Sequence, residues 1–146
     1  MSEFVARDKE FESRVRKSFE LQTLMSTIGA RMTKVFPGEV EIELPYRRDL
    51  CQQNGYLHAG IATAIVDTAC GYAALSLMPA GFGVLTVEYK ANFVAPAIGD
   101  LFIARAVVKK AGRTLSVCSG DVVAVKKDEE KLVATMLTTM MALRNS

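Results

Sequence analysis

Between Gln52 and Met78 the chain reads QQNGYLHAGIATAIVDTACGYAALSLM, an almost wholly apolar stretch that carries a single carboxylate, Asp67. A carboxylate taken out of water loses several kcal/mol of hydration unless partners replace it. No Lys or Arg stands between His58 and Met78, so whatever balances Asp67 must come from elsewhere in the fold. The pattern predicts a helix from about Ala59 to Met78, closed by Pro79-Ala80-Gly81. Being apolar on every side, it must be wrapped by protein. Ala59, Gly60, Ala62, Ala64, Ala69, Gly71, Ala73 and Ala74 make it narrow enough for a curved sheet to close around it. The run from Gly60 to Met78 is long enough on paper to span a bilayer, but Asp67 at its centre argues for a helix buried in protein and against membrane insertion.

Around this helix the periodicity changes twice. Phe11, Val15, Phe19, Leu21, Leu24, Met25 and Ile28 recur at three- and four-residue steps, which predicts one amphipathic helix over about residues 5–28, ended by Gly29. Val40, Ile42, Leu44 and Tyr46 then alternate with Glu39, Glu41 and Glu43, the pattern of a half-buried strand, and Pro37-Gly38 turns it from a shorter strand before it. After the central helix come four strand-like runs, Val84 to Phe93, Leu101 to Lys109, Thr114 to Val125 and Lys131 to Leu143. The whole chain, 1–146, thus reads as one α+β domain, an antiparallel sheet wrapped on one long helix. On the last strand Leu132, Ala134, Met136 and Met140 alternate with Val133, Leu137, Met141 and Leu143. One helix cannot cover both faces of such a sheet, so the outer face is expected to meet another subunit.

Composition narrows the function classes. The formal charge of +2 is spread along the chain, which offers no argument for nucleic acid or an anionic membrane surface. Cys51, Cys70 and Cys118 are odd in number and lack CxxC spacing, as expected of free thiols in a reducing compartment, the cytoplasm by default. The charged opening, MSEFVARDKEFESRVRKSF, has no apolar core of the kind a signal peptide needs.

His58, the only histidine, falls at the start of the central helix nine residues before Asp67. Nine steps of about 100° put the two side chains on opposite sides, about 13 Å apart along the axis. They can share a site only if a second copy of the helix runs antiparallel beside the first, as in a two-fold dimer. The helix start is chemically useful, because its first N–H groups lack intrahelical partners and carry the positive end of the dipole. The N–H of Ala59 or Gly60 could hold a developing oxyanion, worth on the order of 3 kcal/mol, with Asp67 as base or nucleophile. Other roles stand beside these. Asp67 could cap a backbone amide or pair with Arg105, His58 could be a packed turn residue, and Cys51 or Cys70 could act as a thiol nucleophile, though with no second group to orient the histidine.

These residues resemble the active-site region of the hotdog-fold thioesterases, in the branch related to phenylacetyl-CoA thioesterase (PaaI-like), whose pattern is an Asn, five residues, His-Gly-Gly, and an Asp nine residues after the His. Gly55, Leu57, His58, Gly60 and Asp67 stand in register, and the likeness continues through Thr86, Asn92-Phe93, Pro96, Gly99 and Gly112-Arg113-Thr114-Leu115, covering nearly the whole chain from Thr27. Gln52 stands at the Asn position, with Asn54 two residues off register, and Ala59 replaces the first Gly of the pair.

The resemblance implies a single hotdog domain, working as a homodimer or a homotetramer built from dimers, that hydrolyses acyl-CoA to free acid and CoA. Asp67 would be the base or nucleophile, with His58 and the Ala59 N–H of the neighbouring subunit polarising the thioester carbonyl, and Gln52 and Thr86 completing the catalytic set. Asn54, Gly60 and Arg113 would contact substrate, with Lys109 and Lys110 near the CoA phosphates. No metal and no organic cofactor is implied. A hotdog enoyl-thioester hydratase or dehydratase and a non-catalytic acyl-CoA-binding module are the alternative readings.

Overall fold

The computed structural model describes residues 3–145; residues 1, 2 and 146 of the expected domain lie outside the described residues. The chain forms helix α1 (Phe11–Leu21), helix α2 (Thr23–Ile28), strands β1 (Arg31–Phe36) and β2 (Glu39–Pro45), a 3-10 turn (Arg48–Leu50), helix α3 (Ala59–Leu75), and strands β3 (Phe82–Phe93), β4 (Leu101–Ala111), β5 (Leu115–Lys126) and β6 (Glu129–Arg144). The strands make one antiparallel sheet in the order β1-β2-β4-β5-β6-β3. Its concave face wraps α3, and the fold is the α+β hotdog arrangement.

The core forms where the two periodicities meet. Val40, Ile42 and Leu44 on β2, Phe102, Ala104 and Ala106 on β4, and Cys118, Val122 and Ala124 on β5 are buried against Ala62, Ile65, Val66, Ala69, Cys70 and Ala73 of α3. Close approach requires Gly120: a Cβ there would sit 2.5 Å from Val66 Cγ2 and 3.0 Å from Cys70 Sγ. The wrapping of α3 is incomplete within one chain. Its first two residues, Ala59 and Gly60, are exposed, and Thr63, Ala64, Asp67 and Thr68 are only half buried.

Three details depart from the pattern-based expectation. The single helix over 5–28 is two helices beginning at Phe11. Asp8 starts α1, its carboxylate accepting the Glu10 N–H at 2.9 Å and its carbonyl the Phe11 N–H at 3.1 Å. Gln22, extended at φ −81° and ψ 100°, breaks the run before Gly29 ends α2 at φ 81°. No Pro or Gly marks that break; it coincides with hydrogen bonds from the Gln22 side chain to α3.

The central helix stops at Leu75 rather than Met78. Its last turn tightens to bonds from Leu77 N–H to the Ala74 carbonyl and from Met78 N–H to the Leu75 carbonyl. The Arg14 guanidinium takes the Leu75, Met78 and Pro79 carbonyls at 2.7–2.9 Å, placing a cation at the negative end of the helix dipole.

The third departure is in the alternation of the long strands. On β6, Val122 of β5 pairs with Ala134 and Val123 with Leu132, so Val133 is an extra residue. It is 2% exposed while Leu132 is 42% exposed, the reverse of strict alternation. A second bulge at Val87 lets Thr86 pair with Met140 and Tyr89 with Thr138, both on the inner face, and turns Glu88 and Lys90 outward. Among the described residues no helix is long and apolar enough to cross a membrane.

Candidate active site

Asp67 sits at the wall of a partly open cavity of about 470 Å3 lined by α1, α3, β3 and the C-terminal end of β6. Its Oδ1 accepts a hydrogen bond from Thr86 Oγ1 at 2.8 Å, and the same hydroxyl lies 3.4 Å from Met140 Sδ. Burial pushes the Asp67 carboxyl above its ordinary value of 3.8, and the Thr86 bond pulls partly the other way. No cation pairs with it among the described residues. Arg105, the candidate partner in sequence, lies on the outer face and is bidentate to Glu130 at 2.7 Å, with Glu41 at 3.6 Å. Arg14 reaches the same cavity, but its terminal nitrogens are spent on the Leu75, Met78 and Pro79 carbonyls. Asp67 is therefore a half-buried carboxylate with one oxygen held by a hydroxyl and the other without a donor among the described residues, which is what a base or nucleophile needs.

The other end of α3 carries the second group of residues. His58 is the N-cap, and its Nδ1 accepts the Gly60 N–H at 2.8 Å. That bond removes Gly60 as an oxyanion donor and leaves Ala59, at the first helical position, with an N–H that precedes any intrahelical acceptor. His58, Ala59 and Gly60 are all exposed. Beside them Gln52, Tyr56, Ala59 and Phe93 line a cavity of about 170 Å3. The Gln52 Oε1 accepts the Asn54 and Tyr56 N–H groups and so organises the turn. Asn54 lies on that exposed turn and does not line the cavity. Arg113 lines a third cavity, about 230 Å3, with Arg7 and Phe4 near the C-terminal end of α3.

Within one chain the structure thus brings together Asp67 and Thr86, groups Gln52 with Ala59 beside His58, and holds these two sets and Arg113 in separate places. The thiols are remote from this chemistry. Cys70 and Cys118 are buried in the core, where burial pushes both up, Cys118 to about 12, and Cys51 bonds the Arg47 carbonyl. Among the described residues no group of three or more His, Cys, Asp or Glu is placed to hold a metal ion. The residues that sequence reasoning passed over are Ser18, Gln22, Thr68 and Tyr72, which line the Asp67 cavity. The signal available was Thr68 and Tyr72, two further polar side chains four apart in a mostly apolar helix.

With this geometry in hand the comparisons are decisive for the family. The thioesterase superfamily model matches residues 54–131, more than half of the chain. A Halobacterium salinarum protein whose name proposes an esterase is 34% identical over 105 residues, spanning 68% of this chain and 69% of that one. The chain belongs to the thioesterase superfamily. A crystal structure of a thioesterase family protein from Silicibacter pomeroyi, 50% identical, superposes with a TM-score of 0.91 over 92% of this chain and 99% of that one. The PaaI protein of the phenylacetic acid degradation operon of E. coli, at 18% identity, shares the fold with a TM-score of 0.83 over 94% and 96% of the two chains. Membership of the superfamily supports hydrolysis of thioesters at the general level.

Proposed function

We propose that this thioesterase-superfamily chain hydrolyses acyl-CoA as a dimer, with Asp67 of one subunit and the His58–Ala59 turn of a second copy forming each site. The observation that carries this reading is the Asp67 carboxylate, held by Thr86 at the wall of the 470 Å3 cavity with no cation to neutralise it among the described residues. As base, Asp67 takes a proton from water while the water oxygen adds to the thioester carbonyl. The Ala59 N–H and the helix dipole of the second copy stabilise the oxyanion. The C–S bond then breaks, and the proton held by Asp67 goes to the departing CoA thiolate. As nucleophile, Asp67 would form a mixed anhydride that water resolves.

Two features of the single chain support a second copy. His58 and Asp67 lie at different levels of one helix, and β3 is an unpaired edge that exposes Leu85, Val87, Tyr89 and Phe93. A long apolar edge is a template for pairing with another chain. The outer sheet face exposes Val107, Leu115, Leu132, Leu137 and Leu143, which suits a further pairing of dimers into a tetramer.

The test is thiol release from short, long and aromatic acyl-CoAs by the wild type and by Asp67→Asn. Hydrolysis of at least one class and a loss of about two or more orders of magnitude in the variant are expected; equal rates would remove Asp67 from the mechanism. Stability should move the opposite way. Because folding raises the Asp67 pKa, the protonated form favours the fold below 3.8, and this is lost as pH rises through the folded value. The ionised side chain therefore destabilises the native state at neutral pH, and Asp67→Asn should melt at a higher temperature there while losing turnover.

A further inference from the structure

The wall of the Asp67 cavity opposite β3 is built from two facing pairs of polar residues, each four apart: Ser18 and Gln22 at the end of α1, and Thr68 and Tyr72 on α3. They are bonded to one another. Thr68 Oγ1 donates to Gln22 Oε1 at 3.3 Å, Gln22 Nε2 donates to the Tyr72 hydroxyl at 3.2 Å, and the Ser18 and Tyr72 hydroxyls lie 3.1 Å apart. A count of hydrogens shows what this network offers. One hydroxyl hydrogen fills the Ser18–Tyr72 contact, and the other has no acceptor among the described residues. The second Gln22 amide hydrogen is in the same position, and the Gln22 carbonyl oxygen, which takes one bond from Thr68, keeps a second lone pair. The wall presents spare donors beside a spare acceptor, which a neutral oxygen group can meet.

We infer that Ser18, Gln22 and Tyr72 determine specificity, selecting an acyl group that carries a neutral oxygen, keto or hydroxyl, part-way along its chain. This rests on the acyl-CoA thioesterase reading, in which the scissile carbonyl lies at Asp67. Asp67, Gly71 and Leu75 lie on one face of α3 and line the cavity, so the acyl chain runs from Asp67 toward the C-terminal end of the helix. Tyr72 flanks that path about 7.5 Å along the axis, and because helical side chains lean toward the N-terminus its hydroxyl falls short of that level, about where the fifth carbon of an acyl chain lies. A plain alkyl chain would cover the donors without bonding them, whereas an oxygen there satisfies them. A carboxylate end is disfavoured, because Asp67 carries a like charge in the same cavity and the Arg14 terminal nitrogens are already committed to the Leu75, Met78 and Pro79 carbonyls.

The experiment compares two non-hydrolysable thioethers, S-hexyl-CoA and S-(5-oxohexyl)-CoA, by calorimetry on the full chain. The wild type should bind the oxo compound about tenfold more tightly, and Tyr72→Phe, which keeps the ring in its edge contact with Phe19 at 6.0 Å, should bring the ratio close to one. Should Tyr72→Phe fail to fold, Ser18→Ala reads the same ratio. Equal affinities in the wild type, no binding of either thioether, or an unchanged ratio in the variant would overturn the assignment. Hexanoyl-CoA and 5-oxohexanoyl-CoA separate this from the broader reading: preference among the thioethers with no thiol release from either thioester would sink hydrolysis and leave the polar wall standing.

Discussion

At the level of Asp67, α3 is packed by α1, β3 and β6 of its own chain and the carboxylate already has its hydroxyl donor. At the His58 end, the same helix stands with its cap and first two residues exposed beside a cavity of only about 170 Å3. The difference teaches which half of the chemistry one chain can build alone. A carboxylate raised by burial needs walls, and the single chain supplies them. An oxyanion donor needs only a helix start aimed at something, and here it is aimed outward. On the proposed reading this exposed helix start is the second half-site, and it meets no carboxylate among the described residues, which is the argument for a partner copy.

Mixing subunits breaks this comparison most directly. Asp67→Ala protomers should lose about 10²-fold in activity, and His58→Ala protomers should also be impaired. If each site takes one residue from each chain, random reassociation makes half of the dimers mixed, each with one intact pair. About a quarter of wild-type activity should return. Thiol release by verified mixed dimers measures it, and no recovery would place His58 outside the site that Asp67 serves.

The same contrast explains what could be read in the sequence. Local signals were plain: the glutamate alternation that gives β2, the small-residue helix with one carboxylate, Gly29 at the end of α2. Asp67 and His58 stand out because each is chemically alone in its neighbourhood. Relations between distant segments were not legible. Nothing near Thr86 says that it faces Asp67, because a bulge at Val87 resets the face after it, and a bulge is a property of paired strands. The break at Gln22 lies in a run with unbroken helical periodicity, and the bonds that accompany it come from Tyr72 and Thr68 about fifty residues away. Leu132 and Val133 exchange faces for the same reason as the residues around Val87.

A smaller effect sharpens the Asp67 side. The Thr86 bond lowers the Asp67 pKa against the rise caused by burial. Thr86→Val leaves burial alone, so the pKa climbs further. A base works ionised, so activity is lost as pH falls through that pKa, and in the variant the loss begins at higher pH. About a tenfold fall in kcat/KM is expected near the limb, with Thr86→Ser restoring both rate and profile. A pH profile of the variant that overlies the wild type would mean Thr86 does not act through Asp67.

The smallest effect tests whether the cavity is open space. Gly71 and Gly120 both lie at the surface of α3, one on the cavity side and one on the sheet beneath it. A Cβ at Gly120 would press to 2.5 Å of Val66 Cγ2, whereas at Gly71 the nearest atoms, Met140 Cε and Val84 Cγ1, are both at 3.9 Å, an ordinary contact. Gly120→Ala should therefore cost about 1–3 kcal/mol through overpacking. Gly71→Ala should hold or raise the melting temperature, since replacing a mid-helix glycine is worth roughly 0.5–1 kcal/mol. The added methyl also enters the cavity floor four residues beyond Asp67, so kcat/KM should fall a few-fold for longer acyl chains and hardly at all for acetyl-CoA. A Gly71→Ala protein that melts lower than wild type would show that the helix closes against β3 and β6 in solution, and that the Asp67 end is no more preformed than the His58 end.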